Sequence, residues 1–415
     1  MLGRVNRKKL YYPSLALVSV LIMVCLSVQT KADSLGMFDD LLINLKKRLN
    51  QESNAMIDTI VETVDFSRAD QRFQEFIDDN PNFDGISFVL VDASGVIHLK
   101  TFGDHSIDLV TMIASSSKVP VVMTLLALEE DPKSNFRMDQ PIGEVFSIDG
   151  VYGDRTPLQL VSNTSGIPGL ASTWIYGGHL CQFSFAATVD FETCGRTMLT
   201  SELFGTTEPY EVFDYGGSQW QLAGVTASIA SNKTWNQLID EYLAVPCNLE
   251  IFTFGNMWQD LNRWNGFPDS LLGTENPHIE GGAITTLLDY AKLLQVHLNG
   301  GFCEDRQVLS SSSLERMRED HGSTVRQNPT PYGMGWWIAA GYDDVYFDPG
   351  AFGSVSFIDL KRGFGGFVAI DEYSQTDARA PVNLLAREIL PMLQQAMDTV
   401  QRTATANLRQ PKGER

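Results

Sequence analysis

Strand-like runs stand at both ends of the main body of this chain and are missing from its middle, and no other feature constrains the fold as much. Residues 86–91 and 96–101 are apolar, β-prone runs around Asp92-Ala93-Ser94-Gly95, a hairpin signal. From about 141 to 297 the chain reads as short helices and loops, with turn clusters at Ser162-Asn163-Thr164-Ser165-Gly166 and Gly216-Gly217-Ser218. A clearer helix over 285–297 stops at Asn299-Gly300-Gly301. Strand pattern returns at 335–339, 353–359 and 365–371, and 381–400 reads as a closing amphipathic helix. Runs of strands favour antiparallel pairing. The expected fold class is therefore α/β in the α+β sense: one antiparallel sheet flanked by helices, with a mainly helical section, about 140–300, inserted into it.

The chain of 415 residues, 43% hydrophobic, is long enough to bury a large core. Its first 32 residues differ from the rest. Arg4, Arg7, Lys8 and Lys9 precede the apolar stretch 15–28, and small or polar residues follow to Ala32, which is the pattern of a cleaved secretory leader. An uncleaved anchor, with Tyr11 and Tyr12 at the membrane interface, is the alternative. Residues 33–83 are expected to be an N-terminal helical segment, 84–400 the main domain and 401–415 a polar tail. Without its leader the chain carries 26 basic and 51 acidic side chains, a net charge of −25, so nucleic acid is not an expected partner. Cys181, Cys194, Cys247 and Cys303 follow the leader, and an even count in a secreted or periplasmic protein is compatible with disulfides. Of the three formal pairings, Cys181 with Cys194 and Cys247 with Cys303 are favoured over the others; free buried thiols are the alternative.

Chemistry enters at Ile113-Ala114-Ser115-Ser116-Ser117-Lys118. Residues three apart share a helix face, so the Lys118 amine can reach the Ser115 hydroxyl, and a serine becomes a useful nucleophile only with a base beside it. Ser116 and Ser117 have no lysine three residues on. The apolar run 119–128 suits a buried helix whose first turn tolerates Pro120. To accept the serine proton Lys118 must be partly neutral, which burial would favour. Six scattered histidines without ligand spacing and no Cys-x-x-Cys pair leave no metal site expected, and no cofactor is called for. A Gly-x-Ser-x-Gly elbow and a phosphate loop are both missing from the sequence.

With these residues in view, the chain resembles the serine β-lactamase and penicillin-binding-protein group over roughly residues 85–395. Within that group it is most similar to the branch of class C β-lactamases, D-alanyl-D-alanine carboxypeptidases and related serine esterases and amide hydrolases. The Ser115–Lys118 segment resembles the first motif. Leu160-Val161-Ser162-Asn163-Thr164-Ser165-Gly166-Ile167-Pro168-Gly169 is similar to the family's Thr-Ser-Gly-Ile-Pro loop, and Phe213-Asp214-Tyr215-Gly216-Gly217-Ser218 to its tyrosine-containing second motif. Gly281-Gly282-Ala283 and Tyr332-Gly333-Met334-Gly335-Trp336-Trp337 look like recurrent family segments, and Asp348-Pro349-Gly350 falls where the third motif belongs. The resemblance implies a β-lactamase/transpeptidase-like fold with its site between sheet and helical section. It implies Ser115 as nucleophile, Lys118 as base, Tyr215 as proton relay, and the backbone N–H groups of Ser115 and Ala351 as the oxyanion hole.

The departures fall where substrate is recognised. The third motif commonly carries a cation and a hydroxyl for a substrate carboxylate, and here Asp348 and Pro349 stand in their place, ahead of Gly350. The second commonly has an asparagine where this chain has Gly217. A small ester, lactone or uncharged amide is therefore the expected substrate. The alternatives are a β-lactamase or D,D-carboxypeptidase, and a non-catalytic binding or scaffold protein on the same fold. Trp174, Trp336 and Trp337 are candidates for an acyl pocket.

Overall fold

A computed structural model describes residues 64–170, 179–183, 185–202, 205–372 and 379–409. The leader, most of the expected N-terminal segment, the end of the tail and Trp174 lie outside these residues.

Strands β1 (Gly85–Asp92) and β2 (Gly95–Gly103) form the expected hairpin. Three short strands, β3 (Val110–Met112), β4 (Phe252–Phe254) and β5 (Ala283–Thr286), make a second sheet in the order β3-β5-β4, and β6 (Phe302–Cys303) pairs with β7 (Arg306–Gln307). The last four are β8 (Trp337–Ile338), β9 (Val345–Pro349), β10 (Val355–Asp359) and β11 (Phe364–Ala369). The main sheet runs β2-β1-β11-β10-β9-β8, antiparallel throughout, so the first hairpin joins the last strands across the helical section. β9 is not apparent in the sequence, because Asp348 and Pro349 are poor strand formers; Pro349 is tolerated as the strand's final residue. The small sheet also departs from the expectation of a strand-free middle. Its strands are three or four residues long, too short to show a period of two.

Seven of the eight residues of β1 are buried, as a strand covered on both faces requires. Phe88 and Leu90 face a core with Phe73 and Phe76 of helix α1 (Ser67–Asp79) and the C-terminal Leu385 and Leu393. Val89 and Val91 face the opposite core, built with helix α2 (Lys118–Glu130) and the helical section. In α2 every residue from Lys118 to Leu128 is buried, which is why it is apolar all round. Helix α3 (Phe191–Thr200) packs on α4 (Ser218–Ser231), itself buried from Ser218 to Ala227. Helix α5 (Leu287–Leu298) starts from Thr286, whose hydroxyl accepts the Asp289 N–H, and lies on β1 and β11. The closing helix expected over 381–400 is Arg379–Leu384, a π turn and Leu390–Arg409.

Both favoured disulfides are formed, Cys181 with Cys194 and Cys247 with Cys303. They tie together segments of the helical section and its return to the sheet. No helix among the described residues is long and apolar enough to cross a membrane.

Candidate active site

Ser115 sits on a 3-10 turn, Ala114–Ser117, that leads directly into α2. The turn is set by close packing rather than by a serine cap. Ser117 Oγ donates to the Ala114 carbonyl at 2.6 Å and accepts the Ala283 N–H at 3.1 Å, tying the turn to β5. Ser116 Oγ donates to the Asp348 carbonyl at 2.8 Å, tying it to β9. Ala114, just before Ser115, has φ +44°, a left-handed conformation that a non-glycine residue holds only when its surroundings impose it.

Lys118 Nζ donates to Ser115 Oγ at 3.0 Å and to the Glu280 carbonyl at 3.0 Å. Its ammonium lies 4.6 Å from the centre of the Tyr215 ring. Tyr215 in turn packs on Trp337, with ring centres 4.9 Å apart, and edge-on to Tyr332 at 5.9 Å. Ser115 and Tyr215 are partly exposed, whereas Lys118 is fully buried. The expected hydroxyl and phenol side chains thus both lie beside the Lys118 amine.

The Tyr215 loop is held by Asn163. Its Oδ1 accepts the Gly216 N–H at 3.0 Å, the Trp220 indole N–H at 2.8 Å and a Gln219 amide N–H at 3.2 Å. Gly216 and Gly217 both have φ above +80°, the region where glycine is favoured. Asn163 belongs to one of two glycosylation sequons in the sequence, and in the folded chain its side chain is buried and bonded in this way.

Burial alone would lower the Lys118 pKa. Tyr215, Glu280 and Asp348 around it outweigh that cost and hold it above the ordinary lysine value. The balance on this amine is set by neighbours from distant parts of the chain, and they act against the neutral form that a base requires. Glu280 is the neighbour that the sequence reading missed. Its Oε2 is 3.5 Å from Lys118 Nζ and accepts the Gly217 N–H at 2.9 Å, and its Oε1 is 3.4 Å from His278 Nε2. Burial raises the Glu280 pKa against the opposing pull of Lys118. Burial likewise pushes Asp348 well above the usual carboxylate range, although Lys118 and the Val119 N–H act the other way.

Three residues expected to meet substrate, Gly217, Asp348 and Gly350, are all buried, and Asp348 Oδ1 has no hydrogen-bond partner. Gly217 gives its N–H to Glu280, Asp348 Oδ2 accepts the Val119 N–H at 3.3 Å, and Gly350 donates to the Ser354 carbonyl at 2.7 Å. Ala351 is exposed at the end of that strand, next to the glycine packed against the Ser115 turn. Trp336 is buried in the core against His297, while Trp337 reaches Tyr215. No group of three histidine, cysteine or acidic side chains suited to a metal ion occurs among the described residues.

Chemically, an amine bonded to a serine hydroxyl and lying beside a phenol ring can move a proton from nucleophile to leaving group. A family model described as Beta-lactamase matches residues 69–389. Among solved structures, the chain is similar to a putative beta-lactamase from Bacteroides dorei DSM 17855, with 21% identity, a TM-score of 0.59, and 77% of this chain and 98% of that one covered. It is also similar to EstCE1, a hydrolase with promiscuous acyltransferase activity, at 16% identity and a TM-score of 0.61, covering 77% and 97%. A third is D-amino acid amidase from Ochrobactrum anthropi SV3, at 16% identity and a TM-score of 0.56, covering 79% and 99%. Among proteins of curated function, none matches.

Proposed function

Since the chain belongs to the Beta-lactamase family of serine hydrolases, we propose that it is a secreted hydrolase that forms an acyl-enzyme on Ser115 with a small ester, lactone or uncharged amide. The observation that carries this reading is the 3.0 Å hydrogen bond from Lys118 Nζ to Ser115 Oγ, at an amine that also contacts Tyr215. As Ser115 Oγ bonds to the acyl carbon, its proton passes to Lys118 in its neutral form. The oxygen that gains charge is met by the backbone N–H groups of Ser115 and Ala351. Tyr215 passes the proton on to the departing alcohol or amine, and water then releases the acyl group by the same steps in reverse.

The choice of substrate rests on the third motif. That position carries Asp348 and Pro349, which bring neither the cation nor the hydroxyl that would bind a substrate carboxylate. Secretion is supported by the leader pattern and by the two disulfides, which persist in oxidising compartments. The test is covalent labelling by a fluorophosphonate together with turnover of p-nitrophenyl esters, compared between wild type and Ser115→Ala. Labelling that is lost in the variant is expected; equal behaviour of the two proteins removes the proposal. Turnover of nitrocefin at a rate rivalling the esters would instead favour a β-lactamase.

A further inference from the structure

The hydrolase reading leaves a proton without a destination. Lys118 is the base, yet the acidic groups around it favour its charged form, and a charged amine cannot accept the serine proton. One buried group stands beside it that the proposed reaction does not otherwise use. Glu280 grips Lys118 twice, through its backbone carbonyl at 3.0 Å and through Oε2 at 3.5 Å. The same Oε2 accepts the Gly217 N–H, and a Cβ on Gly216 would approach it to 2.8 Å, so the paired glycines leave the space that the carboxyl fills.

We propose that Glu280 is a positioning residue that stores the proton of Lys118, so that the amine is neutral when Ser115 attacks. This inference rests on the hydrolase reading. The Lys118 ammonium gives one proton to the Glu280 carboxylate, and the pair becomes a neutral amine and a carboxylic acid with no change in total charge. The amine then takes the Ser115 proton as the bond from Oγ to the acyl carbon forms. It yields that proton to the leaving group through Tyr215 as the bond to the leaving group breaks. Glu280 keeps its stored proton through acylation and deacylation.

The other titratable groups facing the pair fit this assignment. His278 approaches Oε1, but burial, aided by Lys118, pushes its pKa down to about 3, so it stays neutral. Tyr215 and Asp348 act on Lys118, and Tyr332 lies within the influence of Glu280. Burial favours the acid form of Glu280, and the Gly217 N–H can be accepted by either form.

The alternative is that Glu280 is only a counter-ion, and the two roles predict shifts of opposite sign. The measurement is the rate of fluorophosphonate labelling against pH in the full chain, for wild type, Glu280→Gln and Glu280→Asp, with melting curves to show that each is folded. A proton store means that the acid limb of wild type reports loss of the carboxyl proton. In Glu280→Gln only the ammonium proton remains to be lost, and the limb moves to higher pH by about one unit or more. A counter-ion means that its removal lowers the Lys118 pKa, and a limb that moves to lower pH or stays in place overturns the proposal. Glu280→Asp keeps an acid and is expected to keep the wild-type limb at a reduced rate. Should the glutamine variant fail to fold, Glu280→Ala, which also removes the acid, is read by the same rule, and a limb there that moves to lower pH or stays in place overturns the proposal. Wild type that is not labelled at any pH sinks the hydrolase reading and this inference with it. Labelled wild type with an unshifted Glu280→Gln limb sinks the inference alone.

Discussion

Gly350 is pressed against Ile113 so closely that a Cβ built on it would stand 2.2 Å from the Ile113 carbonyl oxygen, and equally close to Ser354 Oγ. Ser354 Oγ donates to that same carbonyl at 2.7 Å. The end of β9 is thereby fastened two residues before Ser115, which is how a sheet strand and a helix start come to share one site. Gly350→Ala must push the strand and the turn apart. It is expected to lower stability by about 1–3 kcal/mol and kcat by roughly 10²-fold, the scale of an ångström-sized misplacement. Denaturant unfolding and ester turnover check this, and a variant with wild-type values for both would refute the packing argument.

Tyr215→Phe separates the phenol from the ring. The ring keeps its contacts with Trp337, Tyr332 and Lys118, so the melting temperature should change little. Without the hydroxyl, the proton relay to the leaving group is lost, and kcat for p-nitrophenyl and alkyl esters should fall by roughly 10² to 10⁴. The loss should be larger for the alkyl ester, whose poorer leaving group depends more on a proton. A folded variant with unchanged kcat on the alkyl ester would remove Tyr215 from the chemistry.

What the sequence revealed of this site, and what it concealed, follows from the range of the interactions. Ser115 and Lys118 were legible because their relationship is a single helical turn. The shared sheet of β1 and β11 was legible from apolar runs on either side of a strand-poor middle. Glu280 was hidden within a segment noted only for Gly281-Gly282-Ala283, and no local pattern tells that its carboxyl lies under Gly217. Asn163 gave the opposite difficulty: its tripeptide signals a modification site, while its burial and three bonds make it the support of the Tyr215 loop. The charge on Lys118 was out of reach for the same reason, since Glu280 and Asp348 lie more than a hundred residues away along the chain.

His297 should make this protein acid-labile independently of the site. It lies on α5, edge-on to Trp336 at 5.3 Å, with neither ring nitrogen hydrogen-bonded. Burial, with the nearby Arg318 charge acting in the same direction, pushes its pKa from 6.5 down to about 3. The native state thus holds it neutral, while the unfolded chain binds a proton below about pH 6.5. Its contribution is present above that value and is lost as pH falls toward about 3, at up to about 1.4 kcal/mol per pH unit. His278, pushed to about 3 as well, adds to the slope. His297→Phe keeps an aromatic ring against Trp336 and removes one titrating group. Urea unfolding of the two proteins between about pH 7 and about pH 4 should show the variant gaining on wild type by about 1 kcal/mol per unit. Stability curves that run parallel across that range would mean that His297 is not held neutral in the fold.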